Sequence, residues 1–249
     1  PRATLSAADL AGWRRGVLPP VALTAGIVMT GLCVAQLVGG ERWSQVSLLL
    51  VLTAVPTVYV AVHRAEDRPA AVPTALGCLG GAVLFALPDE LLSPVAAAVW
   101  LTVLYGFAMA VGSGLEPRTR HATARAAALC ALAAVLILAA EREGTALALL
   151  LAVQGLSTLG WAWRAGHGTP GSEVPAAWRA GAGQLVLGAW IGAATADLAA
   201  VEWYSLSVAG GLLIAAGPHL GRGSSWRSWG PGLLVAAVPS TLLAVVQPH

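Results

Sequence analysis

The chain is poor in charge and contains no lysine. Only 10% of its 249 residues are charged, and all fourteen basic residues are arginine. Without lysine there is no Gly-Lys-Ser/Thr phosphate-binding motif, which excludes an ATP-driven pump or an ABC-type nucleotide site within this chain. Cysteine is also scarce: Cys33, Cys78 and Cys130 lie in apolar runs and lack a C-x-x-C spacing, so neither a disulfide framework nor a redox pair is expected.

Recognised catalytic and metal-binding patterns are missing as well. The five histidines are scattered over loops and ends without an H-E-x-x-H spacing, and no G-x-S-x-G nucleophile motif is present. The sequence therefore predicts no catalytic residue, no metal ion and no cofactor. Whether the protein is an enzyme stays open, with a non-enzyme favoured.

Apolar sequence is what the chain has in abundance. Hydrophobic residues make up 57% of it, and its mean hydropathy is +0.74. Nine charge-free runs alternate with short loops, and about 20 residues of helix cross a hydrocarbon core roughly 30 Å thick. The runs lack strand-like alternation and are rich in Ala and Leu, which suit helices. We therefore predict an all-α, polytopic transmembrane helical bundle of about nine spans with short loops and no soluble domain.

Residues 1–249 are interpreted as a single membrane domain. Two pairs of glycines, Gly77 with Gly81 and Gly188 with Gly192, have the G-x-x-x-G spacing that lets helices approach closely in lipid. The predicted spans cover approximately residues 17–39, 44–62, 70–88, 91–113, 124–140, 144–163, 180–199, 203–218 and 230–247.

Arginine falls almost entirely on one side of this arrangement. Twelve of the fourteen lie at the N-terminal end and in every second loop, which leaves only Arg42 and Arg142 for the other side, where most of the acids lie. The positive-inside rule then predicts a multi-pass protein of the bacterial cytoplasmic membrane with a cytoplasmic N-terminal end. The Arg-rich inner face predicts anionic lipid headgroups as partners. Nucleic acid is not expected, because the arginines are spread over five short loops.

Two sets of polar residues are candidate binding positions. Asp197 lies in an apolar stretch close to Glu202 and Tyr204 at the predicted outer surface. An ionisable group there is costly unless it faces water or a partner, so these three predict an outer-leaflet site, with ordinary solvated turns as the alternative. Deeper in the membrane, Gln154 and Gln184 predict hydrogen bonds between helices or, second, contact with a substrate.

The C-terminal part of the chain resembles an uncharacterised family of large actinobacterial multi-pass integral membrane proteins. The resemblance rests on residues 154–164, 178–190, 202–206 and 215–218 and on the segment SWRSWGPGLLVAAVPST at 225–241. It covers roughly the last hundred residues clearly, and implies a cytoplasmic-membrane location and a many-helix bundle, but no activity. Members of the family are longer, and this chain begins without Met, so we expect it to be a fragment.

Three functions remain open from the sequence. A permease-like or lipid-handling carrier is favoured and predicts a mid-membrane cavity lined by Gln154, Gln184 or Tyr105. A structural or assembly protein without transport needs no cavity. A membrane-embedded lipid-modifying enzyme would require the outer acids to converge on one pocket.

Overall fold

The computed structural model describes residues 31, 43–166, 173–198, 200–216 and 230–237. No strand occurs in these ranges, and almost all of their residues are helical. The predicted span 17–39, apart from Gly31, and the end of the predicted span 230–247 lie outside the described residues. Seven helices have defined bounds, and residues 230–237 are helical too: α1 Trp43–His63, α2 Arg68–Phe85, α3 Pro94–Gly112, α4 Pro117–Ala140, α5 Gly144–Gly166, α6 Glu173–Thr195 and α7 Val201–Ala216.

Five of these helices are long and apolar enough to cross a membrane, judged by length and composition. They are α1, α2 with the short 3-10 turn before it, α3, α4 and α5. Helix α6 has 23 residues but is not among the five; it carries Arg179, Gln184 and four glycines. The all-helical prediction is confirmed for the described residues, and the five helices are compatible with a membrane bundle. The number of nine spans stays a prediction.

Helix boundaries follow local chemistry more than charge. Helix α3 begins where the Ser93 side chain accepts a hydrogen bond from the backbone N–H of Ala96 (3.2 Å), with Pro94 at the first helical position. Helix α4 begins at Pro117, seven residues before the predicted span 124–140. The predicted span covers the apolar part of this helix, and the helix itself begins earlier and includes the arginines Arg118 and Arg120.

The chain divides into two compact units, Pro1–Cys130 and Ala131–His249. In the first unit α1 packs along α2, and α2 contacts α3. In the second unit α6 packs against both α5 and α7. The division falls inside α4, and the prediction of one membrane domain is left untested.

Polar and aromatic side-chain contacts join helices α1 and α2 near their ends, and Ala54 and Thr57 are buried in the middle of α1. At one end the Trp43 and Phe85 rings stack, with centroids 5.6 Å apart, and the Ser47 hydroxyl donates to the Ala82 carbonyl (2.7 Å). At the other end the Arg68 guanidinium Nε donates to the carbonyl of Ala61 (2.9 Å) in the last turn of α1. Arginine suits this position because the last carbonyls of a helix lack backbone donors.

The turns after α2, α4 and α6 share one geometry. The central residues Glu90, Arg142 and Asp197 are left-handed, with φ of 55°, 58° and 53°. In each turn that residue donates its N–H to the carbonyl three positions back, and the next residue donates to the carbonyl five positions before itself, which is a Schellman motif. At Asp197 these bonds reach Ala194 (3.3 Å) and, from Leu198, Ala193 (3.0 Å). The backbone at Asp197 thus closes a helix end.

Candidate functional site

A buried polar cluster lies between α5 and α6. Gln154 is only 1% exposed, and its side-chain Nε2 donates to the backbone carbonyl of Ala131 in α4 (3.2 Å). Gln154 is the eleventh of the 23 residues of α5, and Gln184 is the twelfth of the 23 residues of α6. Both glutamines therefore lie about halfway along their helices, roughly 15 Å from either end of each.

Thr158 joins the two glutamines. Its hydroxyl oxygen lies 2.7 Å from the backbone carbonyl oxygen of Gln154 and 2.8 Å from Oε1 of Gln184. A hydroxyl has one proton and two lone pairs, so it can donate to only one of these two acceptors at a time. The cluster consequently has two hydrogen-bonding arrangements that need almost no movement of heavy atoms.

Glycines bring α5 and α6 close together around this cluster. A Cβ atom built on Gly155 would lie 2.9 Å from the carbonyl oxygen of Gly181, and one on Gly181 would lie 3.0 Å from that of Gly155. At Gly188 the corresponding distance to the Ala148 carbonyl oxygen is 2.9 Å. Real Cβ atoms do not approach oxygen this closely, so glycine is required at these contacts.

The two G-x-x-x-G pairs therefore differ. Gly188 makes the backbone approach described above, and Gly192 has an ordinary contact, 3.6 Å from the Ala148 Cβ. A Cβ on Gly77 would have no neighbour within 4 Å, and one on Gly81 would meet only a leucine side chain. The prediction of close packing is confirmed for the second pair and is wrong for Gly77.

The three predicted outer residues take different positions. Asp197 is exposed in its left-handed turn, and Glu202 is exposed in the first turn of α7. Tyr204 is partly buried against Trp190 of α6, whose indole Nε1 donates to the Tyr204 backbone carbonyl (3.1 Å). In the described part of the chain, no hydrogen bond or ion pair joins Asp197, Glu202 and Tyr204 to one another.

Asp89, another of the acids on the predicted outer side, has a structural partner. Its carboxylate accepts a hydrogen bond from the backbone N–H of Ser44 (2.6 Å), one of the free donors in the first turn of α1. These hydrogen bonds from Ser44 hold the pKa of Asp89 below its ordinary value of 3.8, because they favour the charged form. Asp89 therefore caps α1 from the turn that follows α2.

Sequence reasoning found the two glutamines but missed Thr158 and Trp190. Thr158 follows Gln154 by four residues, which places both on one face of α5, so the spacing was a usable signal. Trp190 gave no such signal, because its partner Tyr204 lies on another helix.

Two further results bear on chemistry and identity. Among the described residues, no group of three or more His, Cys, Asp or Glu side chains could hold a metal ion. No protein-family model matches the chain, and no curated protein or solved structure matches it either. The resemblance to a family of actinobacterial membrane proteins thus remains a prediction.

Proposed function

We propose that the chain is a multi-pass carrier that handles lipids or small polar solutes, with the Gln154–Thr158–Gln184 cluster as its mid-membrane polar site. The observation that carries the proposal is the Thr158 hydroxyl between two acceptors. A passing hydroxyl or amide could take over one of these bonds while the other persists. An uncharged cluster also avoids the large cost of an ion at mid-membrane depth.

The glycine contacts supply the second element of a carrier. At these contacts the backbones of α5 and α6 approach closely, and Leu159 and Leu185 pack against the glycines of the facing helix. In the carriers whose mechanisms are understood, substrate sites lie near the bilayer midplane between elements that move against each other. The location of the cluster halfway along both helices agrees with this arrangement.

A lipid-transfer assay tests the proposal. The full chain is reconstituted into vesicles that contain a fluorescently tagged phosphatidylglycerol, and dithionite is added outside. Carriage of lipid between leaflets lets dithionite quench fluorescence beyond the outer-leaflet fraction. We expect Thr158→Val to slow this phase by about tenfold, equivalent to ~1.4 kcal/mol, and the matched Ser157→Ala to leave it unchanged, since Ser157 is exposed and bonds only within its own helix. Quenching that stops at the outer leaflet with the unaltered protein contradicts the proposal.

An assembly protein without transport is the second candidate. It is favoured by the bond from Gln154 to the Ala131 carbonyl, because this bond ties the polar side chain to a neighbouring helix. On this alternative the unaltered protein transfers no lipid, while Thr158→Val still lowers its thermal stability.

The orientation belongs to the same proposal. We infer nine spans with the N-terminal end in the cytoplasm and with anionic lipids at the Arg-rich inner face. Reporter fusions at the turns containing Arg118 and Arg142 test it, and we expect opposite sides for the two turns. The same side for both would contradict the arrangement.

A further inference from the structure

The rings of Trp190 in α6 and Tyr204 in α7 lie at an angle to each other, and we call this pair the Trp190–Tyr204 corner. The centroids of Trp190 and Tyr204 lie 6.3 Å apart, and their planes are inclined by 59°. The bond from the Trp190 indole to the Tyr204 backbone fixes the orientation of the larger ring (3.1 Å). Trp190 is nevertheless 39% exposed, and Tyr204 is only partly buried, so both rings remain accessible.

The charged residues nearest to this corner along α6 and α7 are acidic, while Arg142 lies in the neighbouring turn before Gly144, which contacts Thr195 of α6. Asp197 follows Trp190 by two helical turns, and Glu202 precedes Tyr204 by two residues; both acids are exposed. From residue 180 to residue 221 the sequence contains neither arginine nor lysine. A cation near the Trp190–Tyr204 corner would therefore meet attractive charge and no basic side chain of this segment.

We propose that the Trp190–Tyr204 corner binds an alkylammonium group, supplied by a lipid headgroup or by a small solute. A cation is attracted to the face of an aromatic ring within about 6 Å of its centroid, and Trp and Tyr are the strongest rings for this contact. Two inclined rings 6.3 Å apart allow one cation to lie within that distance of both. Trp203, which is 57% exposed, is of the residue type that places a helix end at headgroup level.

The two other stacked pairs within the described ranges lack this combination. Trp43 and Phe85 are nearly parallel, at 9°, and leave no corner between them. Tyr59 stacks on His63, which is followed directly by Arg64, so a cation there would be repelled. The inclination of the rings and the local acids thus coincide at Trp190 and Tyr204.

Choline binding to the full chain tests the proposal independently of lipid transfer. The protein is held in an uncharged maltoside detergent and titrated with choline, and in parallel with 3,3-dimethylbutan-1-ol, which has the same shape but no charge. We expect choline to bind at least about fivefold more tightly than the neutral analogue, the factor that a cation–π contact of about 1 kcal/mol provides. Equal binding of the two compounds would overturn the proposal.

Variants locate the site. Trp190→Leu and Tyr204→Leu should each weaken choline binding by about fivefold or more, whereas Trp190→Phe and Tyr204→Phe keep a ring and should retain most of it. Asp197→Asn should weaken it in low salt and have little effect in high salt. The phenylalanine variants preserve packing if the leucine variants fail to fold. Choline affinity that is unchanged in correctly folded Trp190→Leu and Tyr204→Leu overturns the assignment.

Lipid discs separate the two sources of the ligand. The unaltered protein is placed in discs of phosphatidylethanolamine or of phosphatidylglycerol, and choline is titrated again. If a headgroup occupies the corner, phosphatidylethanolamine blocks choline and phosphatidylglycerol does not. If choline binds equally in both discs, the corner takes a free solute.

Discussion

The two helix pairs α1–α2 and α5–α6 differ in where their polar and aromatic side-chain contacts lie. In the first pair these contacts lie towards the ends: the Trp43–Phe85 stack, the Ser44–Asp89 bond and the Arg68 guanidinium. In the second pair the Thr158 bond lies near the middle, beside the reciprocal glycine contacts. Both pairs run antiparallel, so connectivity alone does not set how a pair is stabilised.

The difference follows from the change of environment along a membrane helix, from the interface at its ends to hydrocarbon at its middle. At helix ends backbone groups lack partners and side chains with charge or dipole can supply them. In the hydrocarbon the apolar effect does not drive helices together, so close backbone contact and buried hydrogen bonds remain as the available interactions. In α1–α2, the polar and aromatic contacts at the ends add to the packing of buried small residues such as Ala54 and Ala75.

The largest effect is expected from adding a methyl group to the central contact of α5 and α6. Gly155→Ala and Gly181→Ala place a Cβ against backbone oxygen and leucine, and should lower the free energy of unfolding by about 1–3 kcal/mol. Gly160→Ala and Gly183→Ala are matched controls on the same two helices, since a Cβ there has no neighbour within 4 Å. Thermal unfolding followed by circular dichroism measures all four. Equal losses in the four variants would contradict the glycine contact.

Glycine substitutions in the Schellman turns after α2 and after α6 should change stability by similar amounts. Replacing the left-handed Glu90 or Asp197 with glycine removes the Cβ penalty of that conformation and should raise stability by about 1 kcal/mol. Asp197→Asn should leave stability unchanged, because Asn tolerates the same backbone. Asp197→Asn therefore distinguishes the two roles of Asp197: stability should be unchanged, whereas choline binding should weaken because the charge is lost. A destabilising Asp197→Gly would show that the side chain matters more than the backbone.

Single interhelical hydrogen bonds should contribute less. Thr158→Val in α5 and Ser47→Ala in α1 each remove a hydroxyl that bonds to the neighbouring helix. We expect a loss of about 0.6 kcal/mol for each, the average found for such bonds in membrane proteins. Ser157→Ala is the control, because its hydroxyl bonds to Val153 four residues back. If Thr158→Val matches this control, the polar cluster does not hold α5 to α6.

The smallest effect is a dependence on pH at one end of α1–α2. Because the pKa of folded Asp89 lies below 3.8, its bond to Ser44 stabilises the helix above that pH and is lost as pH falls through the folded pKa. The unfolding temperature should therefore fall in acid, and less steeply in Asp89→Asn, which does not titrate. Glu90→Gln changes the neighbouring acid and should keep the full dependence. An identical acid response in Asp89→Asn would contradict the cap.

Much of the helical layout could be predicted from the sequence, and the contacts could not. Apolar runs placed α1 and α5 within a few residues, because a span must avoid charge over its whole length. Helix α4 begins before the predicted span 124–140, since arginine at a helix end interrupts apolarity without ending the helix. Gln154 and Gln184 were recognisable as rare polar residues in apolar runs. Thr158 could have been found from its spacing to Gln154, but its bond to Gln184 and the contact of Trp190 with Tyr204 depend on how the helices pack, which a single sequence does not show.

The contacts between α1 and α2 near both of their ends affect how the two helices can move. Trp43 and Arg68 act at opposite ends of α1, and its 21 residues span about 31 Å, close to the thickness of a hydrocarbon core. Contacts near both ends oppose sliding of α1 along α2, so we expect the two helices to tilt together when the thickness of the hydrocarbon core changes.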